Sequence, residues 1–234
     1  MNFFTLKWGT KYDHNYVNRL FYSLKKHYTN SFNFYCITDD NIGICNDIKI
    51  IDYNEFNTLS NLPQNRLFTK EKTLLFKNFT AGSNIYLDLD ILIYNDVTEL
   101  FDQLKEKPVF IWNYWDTSYD PIEAIYNIED NNCYLNGSII LWHGNNAEFI
   151  FDNMYNNIDK FLGLYNSLDK FIYREHWYKN HLLFWPENMV YRYNGKHYSD
   201  QKACLFNNSH GEGKDLHEIE GWVKDIWYSY DTTS

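Results

Sequence analysis

Asn84-Ile85-Tyr86-Leu87-Asp88-Leu89-Asp90-Ile91-Leu92-Ile93-Tyr94-Asn95-Asp96 is the stretch on which the reading of this chain turns. Its apolar residues form the near-continuous run expected of a buried strand. Two carboxylates, Asp88 and Asp90, interrupt that run. Residues i and i+2 of a strand share one face, so the two charges lie close together. In poorly solvated surroundings they repel each other and lose hydration. A divalent cation relieves both costs, since it takes oxygen ligands and keeps positions open for water or phosphate. The pair therefore reads as a metal site at the C-terminal edge of a central strand, where open α/β sheets place their ligands. The competing reading is a strand end capped by one Asp, with the other in solvent.

Composition bounds the possibilities. A chain of 234 residues is sized for one domain, taken here as 1–234. With 44% hydrophobic and 20% aromatic residues it can bury a core and is not disordered. A net charge of −10 argues against a nucleic-acid binder, which needs a basic face. The opening Met1–Trp8 is too short for a signal peptide, and no run long enough to span a membrane follows. Cys36, Cys45, Cys133 and Cys204 show no Cys-x-x-Cys spacing and read as reduced thiols of a cytoplasmic protein.

Working outward from the central stretch, the elements alternate. Phe3–Trp8 reads as a strand, and Asp13 as the N-cap of a helix whose apolar positions are Tyr16, Val17, Leu20, Phe21 and Leu24. Asn33–Thr38 and Ile48–Ile51 read as strands, and Gln64–Asn78 as a helix leading into the central strand. Beyond it come a short helix over 96–104, a strand Val109–Trp112, and a loop over 112–132. A strand Ser138–Trp142 follows, entered through an Asn136-Gly137 turn, and then a helix Ala147–Leu162. The spacing fits a helix over 168–178, strands at Met189–Tyr193 and Ala203–Asn207, and a packed helix after Gly221. This is an α/β pattern with a mixed, mainly parallel central sheet flanked by helices.

One further segment carries chemistry: Ser209-His210-Gly211-Glu212-Gly213-Lys214-Asp215. Imidazole ligates manganese-like ions, glycine lets backbone approach a phosphate, and lysine brings a point charge. His210 would complete the site begun by Asp88 and Asp90; otherwise it is a surface loop residue.

A terminal strand–helix, Tyr-Leu-Asp-Leu-Asp, then Asn-Gly-Ser-Ile-Ile-Leu-Trp at 136–142, then His-Gly-x-Gly-Lys, in that order, resemble GT-A-type glycosyltransferases. The likeness is greatest to glycosyltransferase family 8, the glycogenin and lipopolysaccharide galactosyltransferase group, and it extends from about Phe3 to Trp227. The resemblance implies a single GT-A-like domain. It also implies Mn²⁺ (or Mg²⁺) held on a donor diphosphate by Asp88, Asp90 and His210, with Lys214 and Gly211 on the phosphates. The family loop usually reads His-Phe-x-Gly-x-x-Lys-Pro; here the proline is missing and the His–Lys gap is shorter. Asn136 and Gly137 match a family segment facing donor or acceptor, the other reading being a turn before a strand. Asp169, followed by Lys170 where the family has glutamine, approximates a catalytic Asp-Gln pair, or is half of a helix-surface Asp–Lys pair. Lys72 precedes the metal strand where the family often has a basic residue, or is a solvated helix lysine. Thr5, Trp8 and Tyr12 lie where a nucleotide base would rest, though Tyr12 could equally pack in the core.

The activity implied is transfer of a sugar from a nucleotide-diphosphate sugar, a UDP-sugar in the first instance, to a glycan, lipid-linked or protein acceptor, with retention of configuration. The alternative is a non-catalytic sugar-nucleotide or glycan-binding protein that keeps the metal site. A haloacid-dehalogenase-like phosphatase also uses Asp-x-Asp, but on its first strand, and Phe3–Trp8 carries no acid. A sugar nucleotidyltransferase wants a glycine-rich, Arg-containing loop after that strand, which Gly9-Thr10-Lys11 poorly matches.

Overall fold

The structure, a computed structural model, describes residues 1–56, 70–115, 120–126, 133–206 and 216–231. In chain order it begins with strand β1 (Asn2–Lys7), helix α1 (His14–His27), β2 (Asn33–Thr38), β3 (Lys49–Asp52) and the short α2 (Tyr53–Phe56). A 3-10 turn, Lys70–Lys72, opens α3 (Thr73–Asn78). β4 (Ser83–Leu87), β5 (Ile91–Ile93), α4 (Thr98–Phe101), β6 (Val109–Trp112), α5 (Pro121–Tyr126) and β7 (Leu135–His143) follow. Then come α6 (Glu148–Asn156), α7 (Ile158–Leu164) and α8 (Leu168–Ile172), which runs on into a π-helical turn at Tyr173–Trp177. β8 (Leu183–Phe184), β9 (Val190–Arg192), β10 (Ala203–Leu205) and α9 (Trp222–Tyr228) complete it.

Seven strands form one mixed sheet in the order β3-β2-β1-β4-β7-β6-β8, and β5-β10-β9 form a second, smaller one. β1, β2 and β3 pair in parallel, as do β6 and β8, whereas β6 and β7 are antiparallel. Strand order reverses between β1 and β4, the topological switch at which open α/β sheets bind ligands. By its contacts the chain divides into two compact units. One comprises Met1–Tyr53, Tyr86–Gln103 and Pro186–Ser234; the other comprises Asn54–Ile85 and Leu104–Trp185.

In the first unit α1 forms where the spacing predicts, with the Asp13 carboxylate accepting from the Asn15 amide as N-cap. Lys25 and Lys26 occupy its last turn, favourably placed for the helix dipole, whereas burial, and next the charge of Lys26, lower the pKa of His27 beside them to about 4 and leave it neutral. Its buried face, Tyr16, Val17, Leu20, Phe21 and Leu24, is the predicted one. Phe3 meets Tyr28 and Phe32 edge-on, at 5.2 and 5.3 Å between ring centroids. In the second unit the core gathers Leu75, Phe76, Phe110, Ile139, Phe171 and Trp185, among others. Its two large indoles are satisfied: Trp142 Nε1 donates to Phe79 O (2.8 Å) and Trp185 Nε1 to Ile139 O (3.1 Å).

The structure corrects several expectations. The central run is not one strand. β4 stops at Leu87, Leu89 and Asp90 make a turn, and β5 joins the other sheet, antiparallel to β10. Extended through both acids, the strand would hold two carboxylates in its interior; the turn brings them to hydroxyl donors instead. Asn136-Gly137 is no turn but lies inside β7, with Asn136 in register with Ile111. The 147–162 helix breaks at Asn157, whose φ of −131° leaves the helical region. The expected loop after Trp112 contains α5, capped by Asp120, which accepts from the amides of Ile122 and Glu123. Of the helix expected over 64–78, residues 64–69 lie outside the described set and α3 begins only at Thr73.

All four cysteines are free. Among the described residues no helix is long and apolar enough to cross a membrane.

Candidate functional site

The carboxylate pair stands at the C-terminal end of β4, beside the sheet's switch point. Each acid is held by a tyrosine. Tyr86 precedes Asp88 by two residues, so both can turn to one side, and the Tyr86 hydroxyl donates to Asp88 Oδ1 at 2.6 Å. The Tyr86 ring is 2% exposed. Burial, and next the charge of Asp88, hold its phenol well above the usual range, so it stays a donor. From the connection between β1 and α1, the Tyr12 hydroxyl donates to Asp90 Oδ2 at 3.1 Å. The Asp90 carbonyl accepts from the Phe206 amide at 2.9 Å, which fixes the chain leaving β10 at this corner.

Tyr12 is itself braced. Its ring lies 4.8 Å from that of Tyr16, and the Lys11 ammonium sits 4.5 Å from its centroid. The Tyr16 hydroxyl is hydrogen-bonded with His217 Nδ1 at 2.6 Å, and its ring packs 5.0 Å from Trp227. Phe206 and Leu216 bracket the segment that carries His210, Gly211 and Lys214. Those three predicted residues lie outside the described residues.

The predicted base-side residues occupy the same unit in different settings. Thr5 is fully buried in the middle of β1, and its Oγ1 has no hydrogen-bond partner among the described residues. Trp8 is 50% exposed and stacks on Tyr53 at 5.7 Å. Gly9 takes a left-handed φ of +69°, the conformation glycine adopts without strain, and its amide donates to Asp39 Oδ2 at 2.9 Å. Lys7 is buried, its Nζ donating to Asp40 O at 3.1 Å.

The remaining predicted residues gather in the second unit. Asn136 Oδ1 accepts from the Ser138 amide (2.8 Å). The Gly137 amide donates to Asp169 Oδ1 (3.1 Å), and Lys72 Nζ approaches Gly137 O at 3.4 Å. A Cβ on Gly137 would meet Asp169 Oδ1 at 2.7 Å, so the glycine exists for close approach and not for a turn. Lys72 and Lys170 are both buried. Neither is a solvated helix lysine, and Asp169–Lys170 is not an exposed pair. Burial, and then the charge of Asp169, push the nearby Cys133 thiol up.

Among the described residues no three His, Cys, Asp or Glu side chains cluster as metal ligands. The donor set of the corner nevertheless suits a hard divalent cation: two half-buried carboxylates two residues apart, each already accepting one hydroxyl proton. Sequence reasoning missed Tyr86 as a partner of Asp88, and it read Tyr12 as a base platform or a core ring without its bond to Asp90. The signal for Tyr86 was present in its i, i+2 spacing from Asp88; for Tyr12 none existed.

No protein-family profile matches the chain, and no curated protein matches it by sequence. Solved structures do. The galactosyltransferase LgtC, crystallised with donor and acceptor sugar analogues, superposes with a TM-score of 0.65 at 13% identity over 100% of this chain and 98% of that one. The glycosyltransferase GlyE of Streptococcus pneumoniae TIGR4, in its apo form, gives 0.62 at 10% identity, over 100% of this chain and 60% of that one. Mouse xyloside xylosyltransferase 1 gives 0.56 at 9% identity, over 88% and 98%. The chain therefore has the GT-A-type fold expected from the order of its motifs.

Proposed function

We propose that this protein is a glycosyltransferase that takes a sugar from a nucleoside-diphosphate sugar, a UDP-sugar in the first instance, and uses a divalent ion, Mn²⁺ or Mg²⁺. The observation that carries the reading is the Asp88–Asp90 pair at the C-terminal end of β4, at the strand-order switch of a fold shared with glycosyltransferases. Asp88 and Asp90 are the residues to hold the ion, and His210 is proposed as a third ligand. When bound there, the ion supplies positive charge for a departing diphosphate. Lys214, with Gly211 allowing close backbone approach, would add charge where negative charge develops. Trp8, half exposed on Tyr53, offers a face for the base.

Asp169, Asn136, Gly137 and Lys72 lie in the second unit; Asp169 is proposed as a catalytic residue, Asn136 and Gly137 as facing donor or acceptor, and Lys72 as a basic residue near the donor. Transfer with retention is proposed without a protein nucleophile, the leaving phosphate accepting the acceptor's proton. The acceptor is a glycan, a lipid-linked sugar or a protein. Four free cysteines support a cytoplasmic location.

The test is calorimetry with UDP in the presence and absence of Mn²⁺. Asp88→Ala and Asp90→Ala should each abolish the Mn²⁺-dependent part of binding while circular dichroism stays native. Unchanged Mn²⁺–UDP affinity in both would refute the assignment. Turnover of UDP-sugars by the wild-type protein separates a transferase from a binding protein.

A further inference from the structure

We infer that Tyr86 and Tyr12 are positioning residues for the metal: each sets the rotamer of one carboxylate of the Asp88–Asp90 pair. The inference rests on the reading of that pair as the cation site.

An aspartate at a strand end has two free torsions, and two neighbouring aspartates repel each other. Left alone, the carboxylates would swing apart towards solvent. Here each is met by one phenolic hydroxyl from a different part of the chain. Tyr86 reaches Asp88 from within β4 at 2.6 Å, and Tyr12 reaches Asp90 from the β1–α1 connection at 3.1 Å. Hydroxyl donors reduce the mutual repulsion without adding a cation that would compete for the site. Ligating carboxylates are commonly fixed in this way, and loss of such an outer partner typically weakens metal binding about 10- to 100-fold.

The two tyrosines differ in how firmly they are held. Tyr86 is locked in the core at 2% exposure. Tyr12 is half-buried and rests on Tyr16, which is tied in turn to His217 and Trp227. Tyr86 is thus the fixed reference for the pair. Tyr12 relays to Asp90 the position of α1 and of the chain around His217 and Trp227.

The experiment uses the full chain and Mn²⁺ alone, with free Mn²⁺ counted by electron paramagnetic resonance. Tyr86→Phe should weaken Mn²⁺ binding about tenfold or more. Tyr12→Phe, with the longer bond, should weaken it about threefold. In both variants the spectrum of the bound ion should change, a signature that a purely structural role would leave alone. Near-UV circular dichroism reports whether each variant keeps its packing. Should Tyr86→Phe fail to fold, Tyr12→Phe carries the test by itself. Wild-type Mn²⁺ affinity and spectrum in the folded phenylalanine variants overturn the inference. Asp88→Asn distinguishes the two levels of failure. If Asp88→Asn loses Mn²⁺ while the phenylalanine variants keep it, only the positioning role falls. If Asp88→Asn binds Mn²⁺ like the wild type, the cation site itself falls, and the inference with it.

Discussion

Single residues set how this protein answers to acid. His176 is 3% exposed, with Phe149 and Phe171 rings against it, and its Nε2 lies 3.4 Å from the Asn153 amide. Burial, and next the charges of Lys179 and His181, lower its pKa from the ordinary 6.5 to about 3. At pH 7.5 the imidazole is neutral in both folded and unfolded chains. As pH falls through 6.5 only the unfolded chain takes up the proton, so stability drops; below about 3 both take it and the loss ends. Between pH 7.5 and 5 this one group should cost about 2 kcal/mol. Urea unfolding of His176→Leu should show a correspondingly flatter dependence over that window, and an unchanged slope would remove His176 from the account. Sequence named residue types well at this scale but not their partners. Lys72 reads from sequence as a solvated helix lysine or a basic residue near the donor; it is buried against Gly137, and that burial depends on strands that come much later in the chain.

At the scale of elements, apolar periodicity located most strands and helices and misjudged where they break. The run through Asp88 and Asp90 looks continuous in sequence. It divides between two sheets because Asp90 O pairs with Phe206, a contact no local pattern encodes. Asn136-Gly137 has the local signature of a turn, but it lies within β7, beside a register shift in the pairing with β6 between Val109 and Ile111. The missing side chain makes room for the Asp169 carboxylate from α8. That explanation predicts a coupling. Gly137→Ala should displace Asp169, break the amide–carboxylate bond and cost about 1–3 kcal/mol in chemical denaturation. In an Asp169→Ala background the clash is already gone, so Gly137→Ala should cost markedly less, and the double mutant should be less destabilised than the sum of the two single variants. Additive losses would mean that the glycine serves something other than this contact.

At the scale of the whole molecule, the order of motifs was enough to imply the fold, whereas the division into units was not legible. The first unit draws on three separated stretches, ending with Pro186–Ser234, and nothing in the sequence between them announces a boundary. Its last stretch is bound to its first by side chains of α1. Arg19, 8% exposed, donates from Nε to Asp231 Oδ1 at 2.6 Å, and its guanidinium lies 4.9 Å from the Trp227 ring and 4.5 Å from that of Tyr228. His27 Nε2 is hydrogen-bonded with the Tyr230 hydroxyl at 3.0 Å, and that hydroxyl donates to Ile93 O at 2.6 Å. These contacts seat α9, which follows closely on the segment bearing His210 and Lys214. Arg19→Met keeps the aliphatic bulk but loses the charge, the fork and the ring contacts. It should destabilise the chain by about 1.5 kcal/mol, the low end of the range for a hydrogen bond to a charged group, since the Asp231 side chain is half exposed. Hydrogen exchange should quicken first in Trp222–Tyr228 and at the facing positions of α1. If α9 sets where that segment ends, Mn²⁺-dependent UDP binding should weaken in the same variant, while Asp88 and Asp90 remain intact. Faster exchange in α9 with wild-type Mn²⁺–UDP affinity would make the α1–α9 seat a matter of stability alone.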